Sequence, residues 1–174
     1  MAVELGWGQV RMGRVAENVG ISRQVLYAEF DSKDGLGQAM VTREAERFVA
    51  EVAETFDGHP DDPAAAISSA VAHVLRKATT DPLIAAILAG AKGSDSGLLP
   101  LLTTRSGPIM ASAGEVVARF LGAHHPRADR EDLATTVDMV VRMTVSHMMF
   151  STDRPERIGE RIARMALRNL DTGS

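Results

Sequence analysis

The sequence predicts an all-α protein, with an N-terminal helix-turn-helix joined to a C-terminal helical bundle. Three observations lead there. Apolar residues recur three or four apart through most of the chain, the spacing of buried helix faces. Strand-like alternation is absent, and aromatic residues make up only 4% of the 174 residues. The stretch 15–26, VAENVGISRQVL, has the spacing of two short helices joined by a tight turn.

In that stretch each position has a mechanical reason. Ala16 is small, so a second helix can cross close by. Gly20 suits a turn that needs positive φ. Ser22 can cap the next helix, because its oxygen accepts an otherwise unpaired backbone N–H. Val15, Val19, Ile21 and Leu26 are expected to lock the two helices together. Tyr27 and Phe30 lie three apart and share a face of the second helix. Such a second helix normally enters a DNA major groove. Arg23 and Gln24 open it, and both residue types can make bidentate contacts to guanine or adenine edges.

Asp31-Ser32-Lys33-Asp34 then starts a long helix, 33–56, carried by Val41, Ala45, Phe48, Val52 and Phe56. Gly58-His59-Pro60 ends it. Pro63 suits the first turn of another helix, capped by Asp61 or Asp62, with Ile67, Val71, Val74, Leu75 and Ala78 inward. Asp81-Pro82 opens a short apolar helix, 83–89. Residues 90–97 read as a loop, 98–102 as a turn of helix, and Gly107-Pro108 as a break. Helix 109–121 follows, then a loop over 122–129. Two helices close the chain, 130–151 and 155–170. The first is apolar on two sides and must be buried by more than one neighbour.

Composition sets limits. With 45% hydrophobic and 24% charged residues the chain is globular, and 174 residues can bury a real core. There are no cysteines, which excludes disulfides and thiolate metal sites. No apolar run reaches transmembrane length and no signal pattern opens the chain, so a cytoplasmic protein with no membrane partner is expected. The net charge is −4. Residues 1–43 balance Arg11, Arg14, Arg23, Lys33 and Arg43 against Glu4, Glu17, Glu29, Asp31 and Asp34. DNA affinity would therefore come from a few placed contacts and from dimerisation.

The run from Gly6 to Val41, GWGQVRMGRVAENVGISRQVLYAEFDSKDGLGQAMV, resembles the tetracycline-repressor-like (TetR) family of bacterial regulators. The shared pattern runs from the Gly6-Trp7 pair through the two helices to an aromatic-x-x-Phe-x-Ser-Lys junction. The resemblance implies a transcriptional regulator, expected to be a repressor. It implies a DNA-binding domain over 1–43 and an effector-binding and dimerisation domain over 44–174. Arg11, Ser22, Arg23, Gln24, Tyr27 and Lys33 are the expected DNA face, with Tyr27, Arg11 and Lys33 on the backbone. Arg11 replaces the family's capping Thr or Ser and cannot accept a cap hydrogen bond. The family pattern also has a full helix before Gly6-Trp7. Only residues 1–5 precede that pair, so this helix is expected to be missing. The rival reading is a helical small-molecule-binding or protein-interaction module with an inactive, truncated DNA-binding region.

In the C-terminal domain the expected effector is small and hydrophobic. Leu75, Ile87, Leu88, Leu102, Arg105, Ile109, Met143, His147 and Phe150 are its candidate lining, with His147 and Arg105 for a polar end. The nine methionines also suit plain core packing. A homodimer is expected through the last two helices, with Val137, Val141, Met148 and Ile162 in the interface or directly beneath it. Arg157, Arg161, Arg164 and Arg168 form a helical stripe, read as a solvated face. His124-His125 reads as a surface turn without a metal. Gly93-Ser94-Asp95-Ser96-Gly97 lacks a central serine, so it is no nucleophile elbow. Ala91-Lys92-Gly93-Ser94 lacks the order of a phosphate loop. No enzyme activity, metal or cofactor is expected.

Overall fold

The computed structural model describes residues 7–82, 84, 85, 88, 107–151 and 153–172. Among them are seven α-helices and no strand. After a 3-10 turn at Trp7–Gln9 come α1 (Met12–Val19), α2 (Arg23–Phe30), α3 (Lys33–Asp57), α4 (Pro63–Thr80), α5 (Gly107–His124), α6 (Arg130–Met149) and α7 (Pro155–Thr172). The chain divides into two compact units, with the division inside α3 between Glu46 and Arg47. Of the expected helix 83–89, the described residues Ile84, Ala85 and Leu88 are helical. The expected loop 90–97 and turn 98–102 lie outside the described residues.

The first unit is held by a small core of Trp7, Val10, Met12, Ala16, Leu26, Leu36 and Val41. Trp7 is its anchor, as its position before the helix-turn-helix suggests. The indole lies close against Gly37, where an added Cβ would stand 2.6 Å from Cζ2 of the ring. Any side chain at position 37 would push the tryptophan out of its slot. Of the residues expected to lock α1 to α2, Leu26 is buried and Val15 half-buried. Val19 and Ile21 are 66% and 38% exposed, contrary to that expectation. Val19 is the last residue of α1 and Ile21 lies in the turn, where the chain is already leaving the packed surface.

The second unit is a bundle. Its core joins Phe56 of α3, Ile67, Val71 and Leu75 of α4, Val116, Val117 and Leu121 of α5, Val140 of α6, and Ile158, Ile162 and Leu170 of α7. α7 comes close to α4 at Gly159, where a Cβ would run into the Ser68 carbonyl. Thr136 and Thr144 are the buried polar residues of α6, and each hydroxyl donates to the carbonyl four residues back. Asn169 of α7 donates to the Thr136 hydroxyl at 2.8 Å. These bonds satisfy groups that would otherwise be costly to bury.

Two boundaries differ from the sequence reading. Gly107-Pro108 opens α5 instead of breaking the chain, because proline has no N–H to waste in a helix's first turn. That helix also runs on to His124, through the first three residues of the expected loop. His124 is no simple surface turn. Its Nδ1 contacts the Phe120 carbonyl at 2.8 Å and its Nε2 the Pro60 carbonyl at 2.6 Å. His125 is half-buried, with an unpartnered Nε2.

Candidate functional site

The helix-turn-helix is built by local chemistry. α1 ends in a Schellman turn: Gly20 N–H donates to Glu17 and Ile21 N–H to Ala16. Gly20 takes φ 76°, the left-handed region that favours glycine. Ser22 then caps α2, its hydroxyl accepting from Val25 N–H at 3.2 Å. Arg11 stands at the start of α1 with no side-chain cap bond, as its chemistry dictates. Ser32 starts α3 by accepting from Gly35 N–H at 3.0 Å.

On α2, Leu26 alone is fully buried and Phe30 is half-buried against the core. Ser22, Arg23, Gln24 and Tyr27 are exposed, as is Arg11. Arg23 does not point straight out. Its guanidinium lies over Gly13, where an added Cβ would stand 2.6 Å from Nη2. Lys33 is half-buried: its ammonium donates to the Gly8 carbonyl at 3.0 Å and sits 5.3 Å above the Trp7 ring. Two of its three N–H donors remain for another acceptor.

The expected lining residues that are described sit at different depths. Leu75 is buried in the core, and Ile109, Met143 and His147 are half-buried. Leu88, in the first unit, is half-buried. Phe150 is 71% exposed, because α6 ends at Met149 and its last apolar stripe runs past the helix. Ile87, Leu102 and Arg105 lie outside the described residues. A different space does open, a cleft of about 420 Å³ between α5 and α6. Met110, Gly114, Ala118, Leu133, Val137 and Val141 make its apolar floor, and Glu115, Arg130, Asp138 and Arg142 stand around it. Val137 and Val141 were expected at a dimer interface. Met148 is half-buried against the core, and Ile162 is 1% exposed, so of the two sites it can serve only the layer beneath an interface.

A polar cluster escaped the sequence reading. The Glu51 carboxylate accepts from Lys77, with His73 Nε2 at 3.5 Å and Arg47 at 3.9 Å. The Lys77 hydrogen bond, ahead of its charge, holds the Glu51 carboxyl below its ordinary range. Phe48 stacks on His73 at 6.3 Å and lies under the Lys77 ammonium at 5.7 Å. Glu51 and Phe48 are three apart, and His73 and Lys77 four apart. That spacing was visible, but the pairing of the two helices was not. On α7, all four arginines of the stripe are exposed. Arg161 reaches Asp153 at 3.1 Å, and Arg157 lies 3.9 Å from it.

A Schellman turn, a serine-capped second helix and a small core beneath them define a helix-turn-helix DNA-binding protein built onto a helical bundle. The chain belongs to the tetR family of bacterial regulatory proteins: residues 1–40 match its N-terminal domain and residues 62–168 the domain described as "Bacterial Tetracyclin repressor, C-terminal domain". It is thus a ligand-responsive, DNA-binding transcriptional regulator of the repressor type. Members of this family bind operator DNA, form dimers and bind small ligands.

Among its relatives is the HTH-type transcriptional regulator AlkX of Mycobacterium tuberculosis. The two are 28% identical over 159 residues, covering 91% of this chain and 74% of that protein. The crystal structure of the TetR family repressor AlkX from a Dietzia species, implicated in biodegradation of n-alkanes, is also 28% identical. It matches with a TM-score of 0.72, over 96% of this chain and 90% of that one. RolR in complex with resorcinol shares the fold, at 22% identity and a TM-score of 0.59, over 99% of this chain and 87% of that one. The two AlkX relatives are regulators, and no helix among the described residues is long and apolar enough to cross a membrane.

Proposed function

We propose that this chain is a homodimeric cytoplasmic repressor released from operator double-stranded DNA by a small hydrophobic effector, with no catalytic activity of its own. The observation that carries the reading is the α2 helix. It is capped by Ser22, anchored by the buried Leu26 and exposed on its opposite face. Residues 1–43 serve as the DNA-binding domain and 44–174 as the effector-binding and dimerisation domain. Gln24 reads a base edge. Arg11, Tyr27 and Lys33 contact the backbone, with Lys33 already held in place by the Gly8 carbonyl. The apolar side chains of the bundle favour an acyl chain or ring with one polar end over a sugar or nucleotide. The AlkX relative implicated in n-alkane biodegradation supports that chemical class. An effector acts only by binding one arrangement of the recognition helices more tightly than another.

The test is a fluorescence-anisotropy titration against duplex DNA from upstream of the coding region. It is repeated with a long-chain fatty acid and its thioester. Sequence-preferring binding that either ligand weakens is expected. Binding unchanged by both, but released by a strongly polar metabolite, would overturn the effector class. Absence of any sequence-preferring binding would overturn the regulator reading.

A further inference from the structure

The outward face of α2 carries an unusual set of side chains. At ~100° per residue, the positions opposite the buried Leu26 and Phe30 are Gln24, Val25 and Ala28. All three are exposed, Val25 to 56%. A β-branched aliphatic residue costs helix propensity and gains nothing in water. It stands here beside an alanine three residues on, presenting methyl groups from one face. The arginine that would favour guanine does not join them, since the Arg23 guanidinium lies over Gly13 on α1.

Each base pair shows a distinct pattern in the major groove. Thymine alone offers a C5 methyl, which apolar side chains contact, and adenine offers the N6/N7 pair that an amide side chain matches. Guanine and cytosine offer strong acceptors or a donor to charged partners. Gln24 supplies the amide, and Val25 and Ala28 supply the methyl contacts. We infer that the recognition helix selects A·T base pairs at the centre of its half-site, with Val25 and Ala28 against thymine methyl groups and Gln24 on an adenine edge. The inference rests on the proposed entry of α2 into a major groove. It adds which bases that helix reads.

The experiment starts from selection of duplexes by the full chain from a random library. The enriched sequence is then resynthesised with each thymine in turn replaced by uracil, which removes only the methyl. A·T pairs should dominate the half-site centre. At one or two positions uracil should weaken binding about fourfold, the loss expected for one methyl. Val25→Ser or Ala28→Ser should abolish that sensitivity at its own position. A G·C-rich half-site, or uracil sensitivity absent in the wild type or retained in both variants, would overturn the inference while leaving the regulator reading intact. Selection that enriches no sequence would instead overturn the regulator reading, and this inference with it.

Discussion

His124 donates from Nε2 to the Pro60 carbonyl at 2.6 Å, tying the end of α5 to the turn between α3 and α4. Its Nδ1 faces a second carbonyl, that of Phe120. A neutral imidazole has one donor and one acceptor, so only the imidazolium serves both carbonyls. These two bonds, with help from Asp61, raise the His124 pKa above its ordinary value of 6.5. Stability linked to a raised pKa is fully present below 6.5 and lost as pH rises through the folded-state value. Melting temperatures of wild type and His124→Ala should therefore lie furthest apart in mild acid and converge on the alkaline side. A gap independent of pH would show that the ring is held in its neutral form.

Glu51 has the opposite sign. Its carboxyl is held low by Lys77, so the linked stability is present above 4.5 and lost as pH falls through the folded-state value. Glu51→Gln should lower the melting temperature at neutral pH, and the difference should vanish in acid. Thermal scans across the acid range decide this.

Gly159 sits where α7 crosses α4, against the Ser68 carbonyl. In an open helix, Gly→Ala stabilises by roughly 1 kcal/mol. Here the new methyl meets backbone that cannot rotate away. Gly159→Ala should destabilise by about 1–3 kcal/mol, the cost of overpacking. Chemical denaturation measures it, and a stabilised variant would show that the crossing has slack.

Lys33 and Gln24 should behave differently. Lys33→Ala removes the bond to Gly8 and, with it, the proposed phosphate contact. It should lower the melting temperature, weaken all DNA alike and flatten the salt slope by about one unit. Gln24→Ala should leave stability untouched and cost ~1–3 kcal/mol on the preferred sequence alone. Titrations at several salt concentrations separate the two, and identical profiles would remove the division of labour.

Val141 lines the apolar cleft between α5 and α6, one position from the Asp138–Arg142 pair. Val141→Glu should yield monomer and lose specific DNA binding, because two half-sites one turn (~34–36 Å) apart are then no longer read together. Sedimentation of both proteins checks this. A wild-type monomer at micromolar concentration would sink the dimer.

The turn chemistry of the helix-turn-helix was legible because it is local: Gly20, Ser22 and Leu26 act within a few residues of themselves. The same holds for Asp62, which caps α4 as its position suggests. What stayed hidden depends on partners far along the chain. His124 looked like a surface turn because Pro60 is 64 residues away. The retreat of Arg23 depends on a missing Cβ at Gly13, which no periodicity reveals. The cleft between α5 and α6 stayed hidden for the same reason: an apolar stripe says that a helix is covered, and is silent on whether core or cavity covers it.

The bond from Asn169 to Thr136 has a further consequence. Helices joined only by aliphatic contacts can ratchet past each other by a turn, trading one set of methyl groups for another. Sliding α7 along α6 by one turn (~5.4 Å) would break this bond across the seam. The pair is keyed, like a shaft in a slot. A signal passing through these last two helices must move them as one lever, by tilt or rotation, and a substitution that removes the key would let the lever slip.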